Sequence, residues 1–334
     1  MNRGRGRVLR GAIGIAISVV ALALVFRQVD LAGTVAILST AVPAWLGVML
    51  AFQVLDVAIR GLRWQRLLAP IHRVPYPRTL DYLLVGYLAN NVLPARLGEL
   101  VRSHYLGDRE GVSRTTTLGT VVVERVVDTA VLVTIASVAI LVLHVRGAVA
   151  SAVLVGIALT GLLIVGLAAA LVAHRLPGAD RVIVAFGRWP RVHALAGRLR
   201  GGLAVAGRPR TLGEAIFLSL LAWTVTVVAF AAAGQSIGLE LTTAQAALFA
   251  SGIALATAIP SGPGYLGTFE LAGVTIGKVL GIPTDTAFAL ALIVHVSILL
   301  VTSIGGAVGF ARIWRRTPAA ARAAVATADR VSEG

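Results

Sequence analysis

Residues 79–106 read TLDYLLVGYLANNVLPARLGELVRSHYL: two apolar arms separated by the break Asn90-Asn91-Val92-Leu93-Pro94. Each arm is too short to cross a bilayer. A helix of about 12 residues rises about 18 Å, against a hydrocarbon core of about 30 Å. The same pattern recurs later, where arms 243–259 and 269–280 flank Pro260-Ser261-Gly262-Pro263-Gly264. Irregular backbone at membrane depth is tolerated only where it is buried in protein or lines a wet cavity. Both regions, 79–93 with 95–106 and 243–259 with 269–280, are therefore expected to be re-entrant hairpins.

The remainder of the chain supports that reading. Of 334 residues, 57% are hydrophobic and 13% charged, with mean hydropathy +0.87. Soluble domains run about 45–50% apolar and about 25% charged. Long apolar runs at 8–26, 43–59, 114–143, 147–173, 214–236 and 284–310 can each span a bilayer. The first resembles a signal peptide in its basic start and its Ala21-Leu22-Ala23, but it continues through Leu24-Val25-Phe26 and is expected to be an uncleaved span. No cysteine is present, which excludes disulfides, Cys-based zinc sites and thiol nucleophiles. No metal or cofactor motif is found. Lys278 is the sole lysine, a skew towards arginine that points to GC-rich coding and a bacterial source.

The net charge of +15 would suggest nucleic acid in a soluble chain. Its placement suggests topology instead. With the N-terminus inside, cytoplasmic segments hold 24 Lys/Arg, five of them in 60–81 and eight in the basic segment 174–213. External segments hold three: Arg27, Arg146 and Lys278. Arg96, Arg102 and Arg125 fall within the membrane. Trp45, Trp64 and Trp314 read as interfacial residues at span ends. The fold class expected is an all-α polytopic membrane protein of the cytoplasmic (inner) membrane. It has six full transmembrane helices, two re-entrant helical hairpins and both termini inside (N-in/C-in), with a cytoplasmic tail at 315–334.

Element order adds a repeat. Residues 8–143 read span, span, hairpin, span, and residues 147–312 read the same. Three crossings per half invert one copy relative to the other, the plan of many secondary transporters. Each hairpin turns at a proline, Pro94 or Pro260, and ends at a glycine, Gly111 or Gly281. Arg125 and His295 each lie 14 residues beyond that glycine, as candidate symmetry partners.

Ionisable residues at membrane depth are functional candidates by default. Asp56 and Arg60 are spaced i,i+4, as a helix-end ion pair or a substrate contact. Arg96, Glu99 and Arg102 follow Pro94 along one helical face. Free N–H groups there, with arginine beside them, suit phosphate. Mutual neutralisation of Arg96 and Glu99 is the alternative. Glu124, Arg125 and Asp128 could coordinate a cation, relay a proton or brace the Arg96 helix. Asn90 and Asn91 mark one turn, and Pro260, Gly262, Pro263 and Gly264 the other. Thr268 is expected to cap the helix that follows, with Glu270 in its first turn. His295 is read as a proton carrier or a hydrogen-bonded packing residue.

These motifs resemble the membrane region of lysylphosphatidylglycerol synthases, the flippase-like integral membrane proteins. The resemblance rests on Asn91-Val92-Leu93-Pro94-Ala95-Arg96-Leu97-Gly98-Glu99-Leu100-Val101-Arg102, on Glu124-Arg125-Val126-Val127-Asp128, and on the run from Pro260 to Glu270 with His295 beyond. It covers about residues 10–312, with Gly262 where many relatives carry alanine. It implies a lipid-handling protein. No aminoacyl-transferase domain lies within the 334 residues, so lipid aminoacylation is not expected of them.

The leading expectation is a flippase or transporter for a phosphate-bearing phospho- or glycolipid headgroup. Its partners would be membrane lipids, not nucleic acid, and its site would lie between the hairpin tips. The candidate contacts are Arg96, Glu99, Arg102, Glu124, Arg125, Asp128, Glu270 and His295. An enzyme is not expected. Ser251-Gly252 with His295 lacks the context of an intramembrane protease, and Asp108-Arg109-Glu110 is the only acidic pair offering a glycosyltransferase site. The third option is a non-transporting partner of a separately encoded lipid synthase or glycosyltransferase.

Overall fold

The computed structural model describes residues 3–93, 97–172, 201–259 and 261–316, and every regular element among them is helical. The first half holds α1 (Arg3–Phe26), α2 (Leu31–Ser39), α3 (Pro43–Leu68), α4 (Tyr76–Val92), α5 (Gly98–Glu110) and α6 (Arg114–Leu143). The second holds α7 (Ala148–Val172), α8 (Pro209–Ser236), α9 (Thr243–Ala256), α10 (Thr268–Val279) and α11 (Thr284–Arg315). Five helices, α3, α6, α7, α8 and α11, are long and apolar enough to cross a membrane. A sixth crossing arises if α1 and α2, bent by 83°, are taken as one span. The chain is a multi-pass helical membrane protein.

Helix α2 occupies a stretch between the first two apolar runs to which the sequence assigned no element. Its start is fixed by Asp30, whose carboxylate accepts the Ala32 and Gly33 N–H groups at 3.0 and 3.2 Å. Asp285, at the start of α11, in turn accepts the Asp30 N–H at 2.8 Å. Other starts follow ordinary local chemistry. Pro43 and Pro209 stand in the first turns of α3 and α8, where no N–H donor is needed. Thr242 and Gln245 close a reciprocal capping box on α9.

The short helices fold back on one another. A Cβ added to Gly86 of α4 would lie 2.9 Å from the Gly98 carbonyl and 3.0 Å from Arg102 Cβ on α5. One added to Gly252 of α9 would lie 2.7 Å from Ile276 on α10. Glycine permits both approaches, so α4–α5 and α9–α10 are helical hairpins. The glycines that end them, Gly111 and Gly281, both take left-handed backbone, with φ of 68° and 72°.

Packing partners exchange when the halves are swapped. Helices α3 and α8 lie along each other in the most extensive contact of the fold. The first arm of each hairpin rests on the last long helix of the other half, α4 on α11 and α9 on α6. The second arms, α5 and α10, pack on the last helix of their own half. Helix α7 departs from this scheme. It packs chiefly on α6 and leaves Leu154, Leu159, Leu162 and Val165 exposed, as suits a helix facing lipid.

Of the basic segment, residues 174–200 lie outside the described residues, as do 317–334 of the tail. The end of that segment is not an open loop. Val205 and Ala206 are buried against Leu67, Val123 and Val127.

Candidate functional site

Asp56, Arg60, Arg63, Arg102, Glu124, Arg125 and Asp128 converge on one network. Asp128 is bound by Arg63 through both guanidinium nitrogens and also accepts from Ser219 Oγ and Trp223 Nε1, each at 3.3 Å. Glu124 lies 3.1 Å from Arg63, 3.2 Å from Arg102 and 2.8 Å from Arg125. Asp56 takes Arg60 Nε at 2.8 Å and the Thr226 hydroxyl at 3.2 Å. Two indoles support the guanidinium groups: Arg60 lies 4.4 Å over Trp223 and Arg102 lies 4.7 Å over Trp64. All these residues except Arg125, whose side chain is 39% exposed, are buried. Such a cluster holds together in a low-dielectric interior because its carboxylates and guanidinium groups offset each other.

Arg63 is the residue that sequence reasoning missed. Together with Arg60 it was counted among cytoplasmic topology markers, yet both are buried and paired. The available signal was the spacing Asp56, Arg60, Arg63, which places all three on one face of α3. Trp64 was likewise read as interfacial. It is wholly buried, donates to Thr120 Oγ1 at 3.3 Å and carries Arg102 on its ring.

A cavity of about 290 Å³ lies beside the network, and both hairpins line it. From α3 come Gln53, Asp56 and Arg60; from α6, Arg125 and Asp128; from the first hairpin, Tyr87, Asn90, Asn91 and Glu99. The second hairpin contributes Thr257, Tyr265 and Phe269, and α11 contributes His295. Leu132, Phe230 and Ile253 make the wall partly apolar. Arg102 and Glu124 do not line the cavity and brace its arginines from behind. Three buried polar atoms on lining residues have no hydrogen-bond partner: Gln53 Nε2, Glu99 Oε2 and Arg125 Nε.

The first tip is held by its asparagines. Asn90 Oδ1 accepts the Gly98 N–H at 2.7 Å, and Asn91 Nδ2 donates to Thr302 and Ser303 on α11 at 2.8 and 3.0 Å. This changes the sequence reading of an open anion-binding helix end. Helix α5 begins at Gly98, three residues beyond the expected 95, its first N–H is taken by Asn90, and Glu99 stands in its first turn. Pro94 and Arg96 lie outside the described residues.

At the second tip, Pro260 lies outside the described residues. The Gly262 N–H donates to Ser18 Oγ on α1 at 2.9 Å, and a Cβ on Gly262 would meet that oxygen at 2.9 Å. Pro263 opens a 3₁₀ turn in which Gly264 takes φ 62°, and Tyr265 (φ 60°) and Gly267 (φ 86°) follow with positive φ. Thr268 does not cap α10; its hydroxyl donates back to the Tyr265 carbonyl at 3.0 Å. Glu270 does, accepting the Gly267 N–H at 2.7 Å. Its other oxygen lies 2.5 Å from His295 Nδ1, while His295 Nε2 lies 2.6 Å from the Gly264 carbonyl. Both ring nitrogens are thus engaged, and Ser251 Oγ donates to the Ala247 carbonyl at 2.6 Å. Asp108 pairs with Arg114, and Glu110 accepts from Tyr82 at 2.8 Å. Among the described residues no group of His, Asp and Glu is disposed to hold a metal ion.

Residues 11–306, carrying both hairpins and the charged network, match the family described as the lysylphosphatidylglycerol synthase TM region. The chain belongs to that family. A curated relative of this lysylphosphatidylglycerol synthase TM-region protein is glycosyltransferase AglD of Haloferax volcanii, 25% identical over 331 aligned residues. The match covers 88% of the present chain and 53% of AglD, so the family member described here spans about half the length of that relative.

Proposed function

We propose that the protein moves the polar headgroup of a phosphate-bearing phospho- or glycolipid between leaflets, with the acyl chains remaining in lipid. The observation that carries this reading is the cavity shared by both hairpin tips, lined by charge and holding three buried polar atoms without partners. In an interior where unpaired polar atoms are destabilising, such atoms are expected to meet a ligand or water. Arg125, partly exposed and with a free Nε, suits a phosphate; Glu99 Oε2 takes a hydroxyl or ammonium donor on the same headgroup. Membership in the lysylphosphatidylglycerol synthase TM-region family supports a lipid as the cargo.

In this reading the hairpins are re-entrant, the six crossings form an inverted repeat, and the termini face the cytoplasm of the cell in its inner membrane. The exchange of packing partners between halves supports the repeat. Rocking one half against the other would expose the cavity to each side in turn. In proteoliposomes, Arg125→Ala and Glu99→Gln should each abolish headgroup translocation while leaving insertion intact. Wild-type flipping in both would refute the site.

A second reading is favoured by the likeness to AglD: the region serves glycosyl transfer to a lipid, as part of an enzyme or beside a separately encoded synthase or glycosyltransferase. Product formed from a labelled lipid-linked donor by the purified protein would favour it over transport.

A further inference from the structure

Glu270 and His295 are 3% and 2% exposed, and His295 lines the cavity with Glu270 behind it at the second hairpin tip. The pair's hydrogen bonds fix a proton count. The Gly264 carbonyl can only accept, so His295 Nε2 carries a hydrogen. The 2.5 Å contact between Nδ1 and Glu270 Oε1 needs a second hydrogen, whichever partner holds it. Two protons therefore occupy the two contacts, and the pair is neutral overall, as carboxylate with imidazolium or as carboxylic acid with imidazole. Loss of one proton leaves a carboxylate and an imidazole with a single N–H between two acceptors. The charged acceptor wins that N–H, and Nε2 then turns a lone pair towards the Gly264 carbonyl.

What that contact holds is the strained tip. Gly264, Tyr265 and Gly267 all have positive φ, and for the non-glycine Tyr265 this backbone is unfavourable. A Cβ on Gly264 would lie 3.6 Å from the Asn91 carbonyl, so this tip abuts the tip of the first hairpin. Phe269, stacked on the His295 ring with centroids 4.3 Å apart, keeps the imidazole aimed at it.

We propose that the Glu270–His295 pair is a proton-binding site that latches the two hairpin tips together, releasing Gly264 when one proton leaves to the cavity. The inference rests on the transport reading above and supplies its coupling ion. The charged and titratable groups facing the pair lie across the cavity: Tyr87 and Glu99 of the first hairpin, Asp56 and Arg60 of α3, Arg125 and Asp128 of α6, with Tyr265 in the tip itself. Residues 12–26 of α1 and the whole of α9 bring none. The other ionisable side chain of α10, Lys278, donates to Gln28 at the far end of the helix, and Asp285 and Arg312 stand towards the ends of α11.

The chain has no cysteine, so Val301→Cys places a single thiol on the cavity wall. Maleimide labelling in nanodiscs, normalised to the thiol's own ionisation, should rise as pH is raised and the pair gives up its proton. In Glu270→Gln the amide donates to Nδ1 and Nε2–H keeps Gly264, so labelling should stay low at every pH. In His295→Leu the latch is absent, and labelling should stay high throughout. If His295→Leu does not insert, Glu270→Gln alone decides. Flat labelling in the unsubstituted background, or wild-type pH dependence in Glu270→Gln, would overturn the latch. The readout needs no lipid movement: a protein that switches yet moves no headgroup refutes transport and not the latch.

Discussion

Arg63 carries the buried network because, among the described residues, no other cation meets both of its inner carboxylates so closely. It binds Asp128 in a two-nitrogen contact and lies 3.1 Å from Glu124, with none of its own side chain exposed. Replacing it by methionine keeps much of the volume but takes from buried Asp128 its two-nitrogen partner and leaves Glu124 with only Arg102 and Arg125, a change expected to be destabilising by about 3–5 kcal/mol. Arg66, one helical turn along and exposed, should tolerate the same substitution within about 0.5 kcal/mol. Thermal unfolding of the two variants in detergent measures the difference; equal losses would show that Arg63 is not the centre. At this scale the sequence announced Glu124, Arg125 and Asp128 by their density in an apolar run. It could not announce that Arg63 turns inward, because arginine near a span end is ordinarily a snorkelling residue. Only the arrival of α6 and α8 against α3 gives it partners.

Glycine sets how closely α11 and the hairpin arm α4 approach. A Cβ on Gly306 of α11 would lie 2.7 Å from the Leu84 carbonyl on α4, so the contact between these helices depends on hydrogen at that position. Gly306→Leu should be destabilising by about 1–3 kcal/mol through overpacking. Gly161 of α7 has nothing within 4 Å of an added Cβ. Gly161→Ala should therefore gain up to about 1 kcal/mol from helix propensity. Melting curves that shift in the same direction for both would contradict this assignment of contacts. The existence of the long helices and of both breaks was legible in hydropathy. Helix α2 was not, because it is short and rests on one capping aspartate. The start of α5 was displaced from the position read from sequence because a side chain from α4 closes it.

For the molecule as a whole, orientation rests on where arginine sits. In the proposed orientation, removing the buried Arg60 and Arg63 from the cytoplasmic tally leaves the bias intact, since that orientation puts only Arg27, Arg146 and Lys278 on the outer side. Single cysteines test it directly. A membrane-impermeant maleimide should label Arg146→Cys in intact cells and Arg73→Cys only after permeabilisation; the reverse pattern would invert the topology. Both positions are exposed, so labelling reads side and not burial.

By itself the sequence determined the membrane class, the long helices and the two breaks, because apolar length and Pro/Gly punctuation are local properties. It also isolated the candidate ionisable groups, since charge is conspicuous in an apolar run. The tertiary structure alone decided which of them meet. It set Arg102 and Glu124 behind the cavity wall and Arg60 and Arg125 in it, buried Arg63 and Trp64, and joined Glu270 to His295 across the second tip. Pairing between residues tens to hundreds of positions apart depends on how helices pack, and spacing along one helix carries no record of that.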